Sequence, residues 1–361
     1  MKFELLIGRV LILLLISFRY PFAALSEIIP IKQNNAMLTN SISAFVQDSI
    51  GFIWVGTDNG LLKYDGYGAY RMLNNQIHDR VEALFKDSNG NIWISSTIGV
   101  FLLKKNEIFA KFIASLQANT FLEYKNRVLI VSKDNFILSD YDGNVSSLFP
   151  EKNKFSYKKI TSVVKDKKNN IWIGTEHGLD QLYWDLKGRL HIKSILRDIH
   201  VSFLSIDSYD YLWYSSKGAL YTINTQDLDD NDLVLNNVDI STIYSAGNNI
   251  WIGTKCNGIY KYSIISKEHN LIQNIFWIDK NNKNELKNSI SVFYEDNYSN
   301  IWIGTKEGVY MMYCKEYQPF KQIKREDNNV SSLAHNIVSG LFCDSNNRVW
   351  VGTSNGLNQI V

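Results

Sequence analysis

The chain has 361 residues, of which 45% are apolar and 13% aromatic, with only four prolines. That is enough apolar material for a sizeable core, in one repeat architecture or two ordinary domains. Its 38 basic and 36 acidic side chains leave a net charge of +2, which excludes a global electrostatic pull toward nucleic acid or an anionic membrane surface.

The first 26 residues form a unit of their own. Lys2 and Arg9 precede the apolar run Val10 to Phe18, and Ala24-Leu25-Ser26 follows. A basic start, a short apolar stretch and a small-x-small site make a secretory signal, with an uncleaved N-terminal anchor as the alternative. The run is shorter than the roughly 20 residues of a spanning helix. The expected location is therefore outside the cytoplasm. The three cysteines, Cys256, Cys314 and Cys343, are odd in number and carry no CxxC spacing, so neither a disulfide framework nor a zinc site is expected. Cys343, inside an apolar run, reads as a small core residue.

From Ile28 onward the chain repeats itself. "GFIWVGTDNGLLKYDG" at 51–66 returns as "NIWIGTEHGLDQL" from Asn170 and "NIWIGTKEGVYMM" from Asn300. The repeat tryptophans are Trp54, Trp93, Trp172, Trp213, Trp251, Trp302 and Trp350. The one double interval, between Trp93 and Trp172, contains a worn copy, "NRVLIVSKDNFIL" at 126–138, with Leu129 in the tryptophan position. Eight copies at a period of about 42 residues fall in the range of β-propeller blades. Most copies open on a β-branched and aromatic run such as "ISAFVQD" (42–48), "VEALFKD" (81–87) or "ISVFYED" (290–296), which predicts a strand. The run closes on Asp48, Asp87, Asp166, Asp207, Asp296 or Asp344, an aspartate suited to capping a turn through its own backbone. "DSNGN" at 87–91 imitates a calcium loop but lacks the downstream bidentate Glu, so it reads as the same turn. The "IWIG" run that follows is apolar on both faces, as a strand packed between two sheets must be. A glycine then marks a second tight turn (Gly60, Gly99, Gly178, Gly218, Gly258, Gly308, Gly356), and a third short strand leaves the motif. The tryptophans are expected to be structural, filling the wedge between twisted sheets.

These copies resemble the two-component regulator propeller repeat. Ile160 to Leu179, "ITSVVKDKKNNIWIGTEHGL", follows its phrase closely, and residues 42–61, 290–309 and 338–357 match comparably. The resemblance implies an all-β fold, a β-propeller of four-stranded blades. Seven blades at 27–336 is the reading adopted, closed by "IIPIKQ" at 28–33, and an eight-bladed ring is the alternative. The eighth copy, at 337–361, is then the start of a second propeller or a seam element. The resemblance further implies the periplasmic sensor region of Bacteroidetes hybrid two-component systems, in which two such propellers precede an immunoglobulin-like module, a membrane span, a kinase and a DNA-binding regulator. It implies recognition of oligosaccharides released during glycan breakdown. Here that reading is limited to a ligand-binding segment without kinase or regulator, whose partners are the small-molecule ligand, a second propeller or a sensor-kinase chain, and no nucleic acid.

An enzyme is not expected. The turn resembles the Asp-box of sialidases, but beyond the signal segment the arginines (Arg71, Arg80, Arg127, Arg189, Arg197, Arg325, Arg348) are scattered, and no Ser/His/Asp signature, HExxH or phosphate loop occurs. No cofactor or metal is implied. The alternatives are a protein-interaction scaffold and a glycan-active propeller. A ligand would sit where sheet-to-sheet connections and second-to-third-strand turns share one face, because repeats collect insertions on the binding face. The polar insertions are 74–80, 279–288 and 326–336. The candidate contacts are Asp58, Asn59, His78, Arg80, Glu176, His177, Lys217, Lys255, Asn257, Trp277, Lys306 and Glu307, since amides and charged groups suit hydroxyls that both donate and accept. Trp184, also outside the repeat position, is read as strand packing, with sugar stacking as its other use.

Overall fold

The computed structural model describes residues 28–33, 36–37, 41–148, 159–185, 187, 189–255, 258–265, 289–313, 323–326, 332–344 and 348–360. The signal segment, Cys256, Asn257, Trp277, the 279–288 insertion and Cys314 lie outside them. Every regular element among the described residues is a strand, and none is a helix long and apolar enough to cross a membrane. The chain divides into two compact units, Met1–Tyr313 and Cys314–Val361.

In the first unit each copy of the repeat makes one antiparallel sheet, strands in chain order. Sheet 1 holds Ile42–Gln47, Ile53–Thr57, Gly60–Tyr64 and Ala69–Met72. The sheets that follow open on Val81–Lys86, Thr120–Tyr124, Ile160–Lys165, Leu204–Ile206, Ile240–Ala246 and Ile290–Glu295. These are sheets 2 to 7. Sheet 6 has three strands among the described residues. Sheet 7 takes its fourth strand from the far end of the sequence: Ile28–Pro30 pairs antiparallel with Val309–Met312, Ile28 opposite Met312. The first strand of each sheet contacts the first strand of the next, and that of sheet 7 contacts that of sheet 1. The result is a β-propeller with its first strands innermost.

The core is distributed over the junctions between sheets, not gathered at one centre. The seven buried apolar clusters each join two neighbouring sheets. The second strands are buried along their whole length at Ile53–Thr57, Ile92–Ser96, Ile171–Thr175 and Ile301–Thr305. Their tryptophans reach across a junction. Trp302 of sheet 7 lies 6.2 Å from Phe45 of sheet 1, Trp93 lies 6.4 Å from Phe121 of sheet 3, and Trp251 lies 6.4 Å from Phe293 of sheet 7. Burying side chains of this size stabilises by roughly 2–3 kcal/mol each.

The repeat aspartate does more than cap its turn. The Asp48 Oδ1 accepts the backbone N–H groups of Ile50, Gly51 and Phe52 at 3.0, 2.9 and 3.0 Å. Its Oδ2 accepts the Trp54 indole N–H at 3.0 Å. The same indole bond recurs at Asp87–Trp93 (2.9 Å), Asp166–Trp172 (3.0 Å), Asp207–Trp213 (2.9 Å), Asp296–Trp302 (2.9 Å) and Asp344–Trp350 (3.0 Å). A buried indole needs an acceptor, and the turn residue six positions earlier supplies it. Burial alone pushes the Asp48 carboxyl up. The Trp54 indole, the Phe52 and Ile50 N–H groups and the Lys63 ammonium outweigh it and hold the group below its ordinary value.

Neighbouring sheets are also joined by a recurring grip. A Cβ placed on Gly304 would lie 2.7 Å from Ile42 Cγ2 of sheet 1, and the Ser291 hydroxyl donates to the Ile42 carbonyl at 2.5 Å. The glycine of "IWIGT" is therefore a notch for the first residue of the next sheet. At the hairpin glycines the demand is different. Gly178 has φ +156°, and a Cβ there would meet Leu196 O at 2.1 Å.

The second unit contains one sheet, Val338–Cys343, Val349–Thr353 and Gly356–Ile360. Cys343 is exposed. The expectation of a core cysteine fails because the strand that carries it is exposed along its whole length.

Two outcomes follow. Gly304→Ala should destabilise the protein by about 1–3 kcal/mol through overpacking against Ile42 and Val292, read as a lower urea midpoint with an unchanged slope. Because the folded pKa of Asp48 is depressed, its contribution is present above the unfolded value of about 3.9 and is lost as pH falls through the folded value. Asp48→Asn should therefore show a shallower loss of urea resistance than the wild type between neutral pH and about pH 2; equal slopes would contradict this.

Candidate functional site

The two ends of the sheets are built differently. One end carries the first-to-second-strand and third-to-fourth-strand turns, where aspartates are committed to turn geometry: Asp48 and its equivalents, and also Asp65, Asp140 and Asp185. Asp185, held by the Arg189 backbone N–H, His191 and the Arg189 side chain, falls to about 2. The other, open end carries the second-to-third-strand hairpins and the sheet-to-sheet connections, and all the described candidate residues lie there.

At the open end the hairpins are held by a threonine. Thr57 Oγ1 donates to the Gly60 carbonyl at 2.8 Å and accepts the Asn59 N–H at 3.0 Å. Thr175 and Thr305 repeat this with Gly178 and His177, and with Gly308 and Glu307. Since the backbone is satisfied by the buried threonine, the tip side chains are not needed for the turn. Asp58, Asn59, Glu176, His177, Lys306 and Glu307 are accordingly exposed, as is Lys217 at its left-handed φ of 47°.

The pairing continues one step beyond each ladder. The Asp58, Thr97, Glu176 and Lys255 N–H groups donate to the carbonyls of Ser41, Arg80, Lys159 and Asp239 at 3.1, 3.1, 3.1 and 3.0 Å. Because the first strands are innermost, these residues lie at the inner edge of the open end. Their side chains make ion pairs of mixed direction: Lys159 Nζ to Glu176 Oε1 at 3.1 Å, Lys255 Nζ to Asp239 Oδ1 at 3.0 Å, and Arg80 Nε to Glu82 Oε1 at 3.2 Å. His78 Nε2 lies 3.3 Å from Asp79 Oδ1, whose Oδ2 accepts from Thr97 Oγ1 at 3.2 Å. Exposed pairs of this kind contribute about 0–1 kcal/mol each, so a polar ligand can replace them at little cost.

The structure thus brings Arg80, Glu176 and Lys255 into rim pairs and leaves Asp58, Asn59, His177, Lys217, Lys306 and Glu307 at hairpin tips. The partners Glu82, Lys159 and Asp239, and the exposed His200 with its Nδ1 3.4 Å from Ser202 Oγ, were missed by motif reading. Lys159, Asp239 and His200 precede the repeated phrase, and Glu82 sits at a polar position within its opening run. Counting seven residues back from each repeat aspartate does find Ser41, Arg80, Lys159 and His200. Trp184 is at the opposite end, where its ring stacks on Tyr124 at 4.3 Å.

The capped end holds one dense polar cluster. Glu123 Oε1 accepts from the Ser88 hydroxyl at 2.6 Å, from the Ser88 N–H at 3.1 Å and from the Tyr141 hydroxyl, while Lys165 Nζ donates to the Glu123 carbonyl at 2.7 Å. Burial raises the Glu123 carboxyl, and the Ser88 and Tyr141 bonds more than compensate, so it lies below its ordinary value. The Ser88 and Tyr141 bonds to its carboxyl and the Lys165 bond to its main-chain carbonyl tie Glu123 to sheets 2, 3 and 4, so the residue acts as a joint in the ring. Among the described residues no group of three His, Cys, Asp or Glu side chains is placed to hold a metal ion.

Comparison with known proteins gives these observations a context. The model of the family described as "Two component regulator propeller" matches residues 36–59, 75–97, 154–177, 284–307 and 332–355. No curated protein sequence matches the chain. Among solved structures, the extracellular domain of a hybrid two component system of B. thetaiotaomicron superposes with a TM-score of 0.67 at 18% identity, covering 93% of this chain and 52% of that one. A second such domain from the same organism gives 0.61 at 18%, covering 93% and 48%. The chain therefore spans about half the length of these two. Virginiamycin B lyase from Staphylococcus aureus gives 0.61 at 13%, covering 80% of this chain and 99% of the lyase. At such identities the likeness establishes the fold, which extracellular domains of two component systems and a lyase share. The repeat itself is more particular: the chain carries two component regulator propeller repeats, set in a β-propeller like those of the two extracellular domains.

Proposed function

We propose that this chain is the ligand-recognising propeller of an exported, periplasmic sensor in a two-component signalling system. In this reading the rim at the open end binds an oligosaccharide from glycan breakdown, and no bond is broken. The observation that carries it is the rim of weakly paired acids, bases and amides around Arg80, Lys159, Glu176, Asp239 and Lys255. These groups can exchange their ion pairs for sugar hydroxyls, and the repeat family supports the assignment to a two-component system. The ring is read as complete at seven blades, because its first strands return to their start and Ile28–Pro30 supplies the last outer strand. A second propeller or a sensor-kinase chain is the partner that would relay occupancy. The N-terminal segment would direct export, with cleavage and tethering as its two fates.

A second reading, a protein-interaction scaffold, draws on the opposite end. There Ile50, Tyr67, Tyr209 and Tyr298 stand on turns at exposures of 75%, 92%, 56% and 59%. Exposed apolar tips of this kind mark protein contacts more than sugar sites.

A glycan array followed by calorimetry tests the first reading. An oligosaccharide that binds should lose at least about tenfold in affinity, some 1.4 kcal/mol, when Asp58, Arg80 and His177 are changed together to Ala, with the unfolding midpoint preserved. Affinity indifferent to that triple change would overturn the assigned end. Product release from an intact glycan would overturn the binding role, and capture of a protein lost on Tyr298→Ser would favour the scaffold.

A further inference from the structure

Five residues before the first-turn aspartate, or before the residue in its place, each sheet of the ring carries a side chain that can hold the next sheet. Ser43, Thr161, Ser241 and Ser291 there donate to the carbonyls of Val81, Val201, Ile290 and Ile42. Asn119 of sheet 3 donates to the Ile160 carbonyl at 3.3 Å. In sheets 1, 4, 6 and 7 the held side chain also enters a glycine notch. A Cβ on Gly56, Gly174, Gly253 or Gly304 would lie 2.8, 2.9, 2.7 or 2.7 Å from it. Sheets 2 and 5 depart in both parts: Ser95 and Ser215 replace the notch glycine, and Glu82 and Ser202 stand at the donor position.

Sheet 2 makes good the loss. Ser95 Oγ accepts the Ala118 N–H across the junction at 2.8 Å, and the Ser88 hydroxyl reaches Glu123 of sheet 3. Sheet 5 does not. Ser215 Oγ accepts the Phe203 N–H of its own sheet at 3.1 Å, and Ser202 Oγ lies 3.4 Å from His200 Nδ1, also of its own sheet. Facing them, the Ile240 N–H donates to Val238 O of its own connection at 2.9 Å. Among the described residues the hydrogen bond joining sheet 5 to sheet 6 is a main-chain one, Val238 N–H to Gly218 O at 2.9 Å, and no side-chain bond accompanies it. The rest of the junction is apolar packing around Trp213, Leu220, Ile240 and Ile252, which is non-directional. We infer that the junction between sheets 5 and 6 is the joint at which the ring yields, and that Ser202 is its latch, kept open by His200. The trigger rests on the open end being the binding end, since His200 holds the same inner position as Arg80 and Lys159. In the tautomer protonated at Nε2, His200 Nδ1 accepts the Ser202 hydroxyl. A ligand hydroxyl donating to Nδ1 takes that acceptor away, and the freed Ser202 hydroxyl turns to the Ile240 carbonyl, as its counterparts do at four other junctions. Occupancy of the rim thereby tightens a junction that runs to the opposite end of the sheets.

Amide hydrogen exchange of the full chain tests the latch without any ligand. The Val238 N–H should exchange about tenfold faster than the Val201 N–H, which crosses from sheet 5 to Thr175 O of sheet 4 at 3.0 Å. His200→Ala removes the competing acceptor and should slow exchange at Val238 and across 240–246 by about fivefold, the weight of one hydrogen bond. Adding Ser202→Ala to it should restore the natural rates, while Ser202→Ala alone should leave them unchanged. His200→Phe, which also lacks an acceptor, should act as His200→Ala does and guards against a disturbed connection. Equal protection of Val238 and Val201 would overturn the yielding joint. Rates indifferent to both His200 variants, or a gain that survives Ser202→Ala, would overturn the latch. Calorimetry separates the trigger from the latch: a glycan whose affinity for the rim ignores His200→Ala, with the exchange rates as expected, would overturn the trigger alone.

Discussion

The bond from a turn aspartate to the tryptophan six residues later organises the rest of this protein. One carboxylate does two jobs: one oxygen gathers backbone N–H groups and sets the turn, and the other holds the indole N–H. The ring then reaches across the junction, as Trp302 does toward Phe45, Trp93 toward Phe121 and Trp251 toward Phe293. Without that acceptor, burying the ring would leave an unsatisfied donor at a cost of about 1–3 kcal/mol. Local turn chemistry and long-range packing are thus coupled through a single side chain. Five of the seven sheets of the first unit use that coupling, in a propeller whose core lies between sheets and has no central core to compensate for a weak junction.

The exceptions show what the bond does. Sheet 3 has Leu129 in place of tryptophan, and its first turn is a tight pair, Lys125 and Asn126, both at left-handed φ. With no aspartate to set that corner, the capped end is bound there by Glu123 together with Ser88, Tyr141 and Lys165. In sheet 6 the first strand ends on Ser245 and Ala246 with no aspartate, and the Lys261 ammonium lies 5.2 Å from the Trp251 ring, the same cation–π contact that Lys63 makes with Trp54 beside Asp48. At sheet 3 a different set of groups locks the corner, and at sheet 6 the lysine contact stands without the aspartate.

Along the sheet axis this separates turns whose side chains set the fold from turns whose side chains do not. At the capped end most turn side chains are committed to geometry. At the open end a buried threonine and a glycine satisfy the hairpin, so the tip residues are free to differ from sheet to sheet. They do differ, through Asp58, Glu176, Lys217, Lys255 and Lys306, and so do the rim residues opposite them. Variation concentrated where the fold makes no demand is the physical basis for proposing recognition there. The exposed tyrosines of the capped end mark a second surface, apolar where the first is polar.

Much of this was legible in the sequence. The period, the aspartate turns, the doubly apolar second strands and the hairpin glycines are local patterns, and each reports a backbone conformation or a buried face that a few consecutive residues determine. The all-β propeller class and the end at which the variable hairpins cluster follow from them. The partners of those residues did not. That Trp54 needs Asp48 as an acceptor, that the glycine of "IWIGT" is a notch for the next sheet, and that Lys159 meets Glu176 are contacts between residues whose proximity depends on strand register and ring closure. The pairing of Ile28–Pro30 with Val309–Met312 spans nearly the whole first unit and exists only once the circuit is complete. Cys343 makes the same point in reverse: its local sequence reads as core, and only the tertiary structure shows that its strand is uncovered.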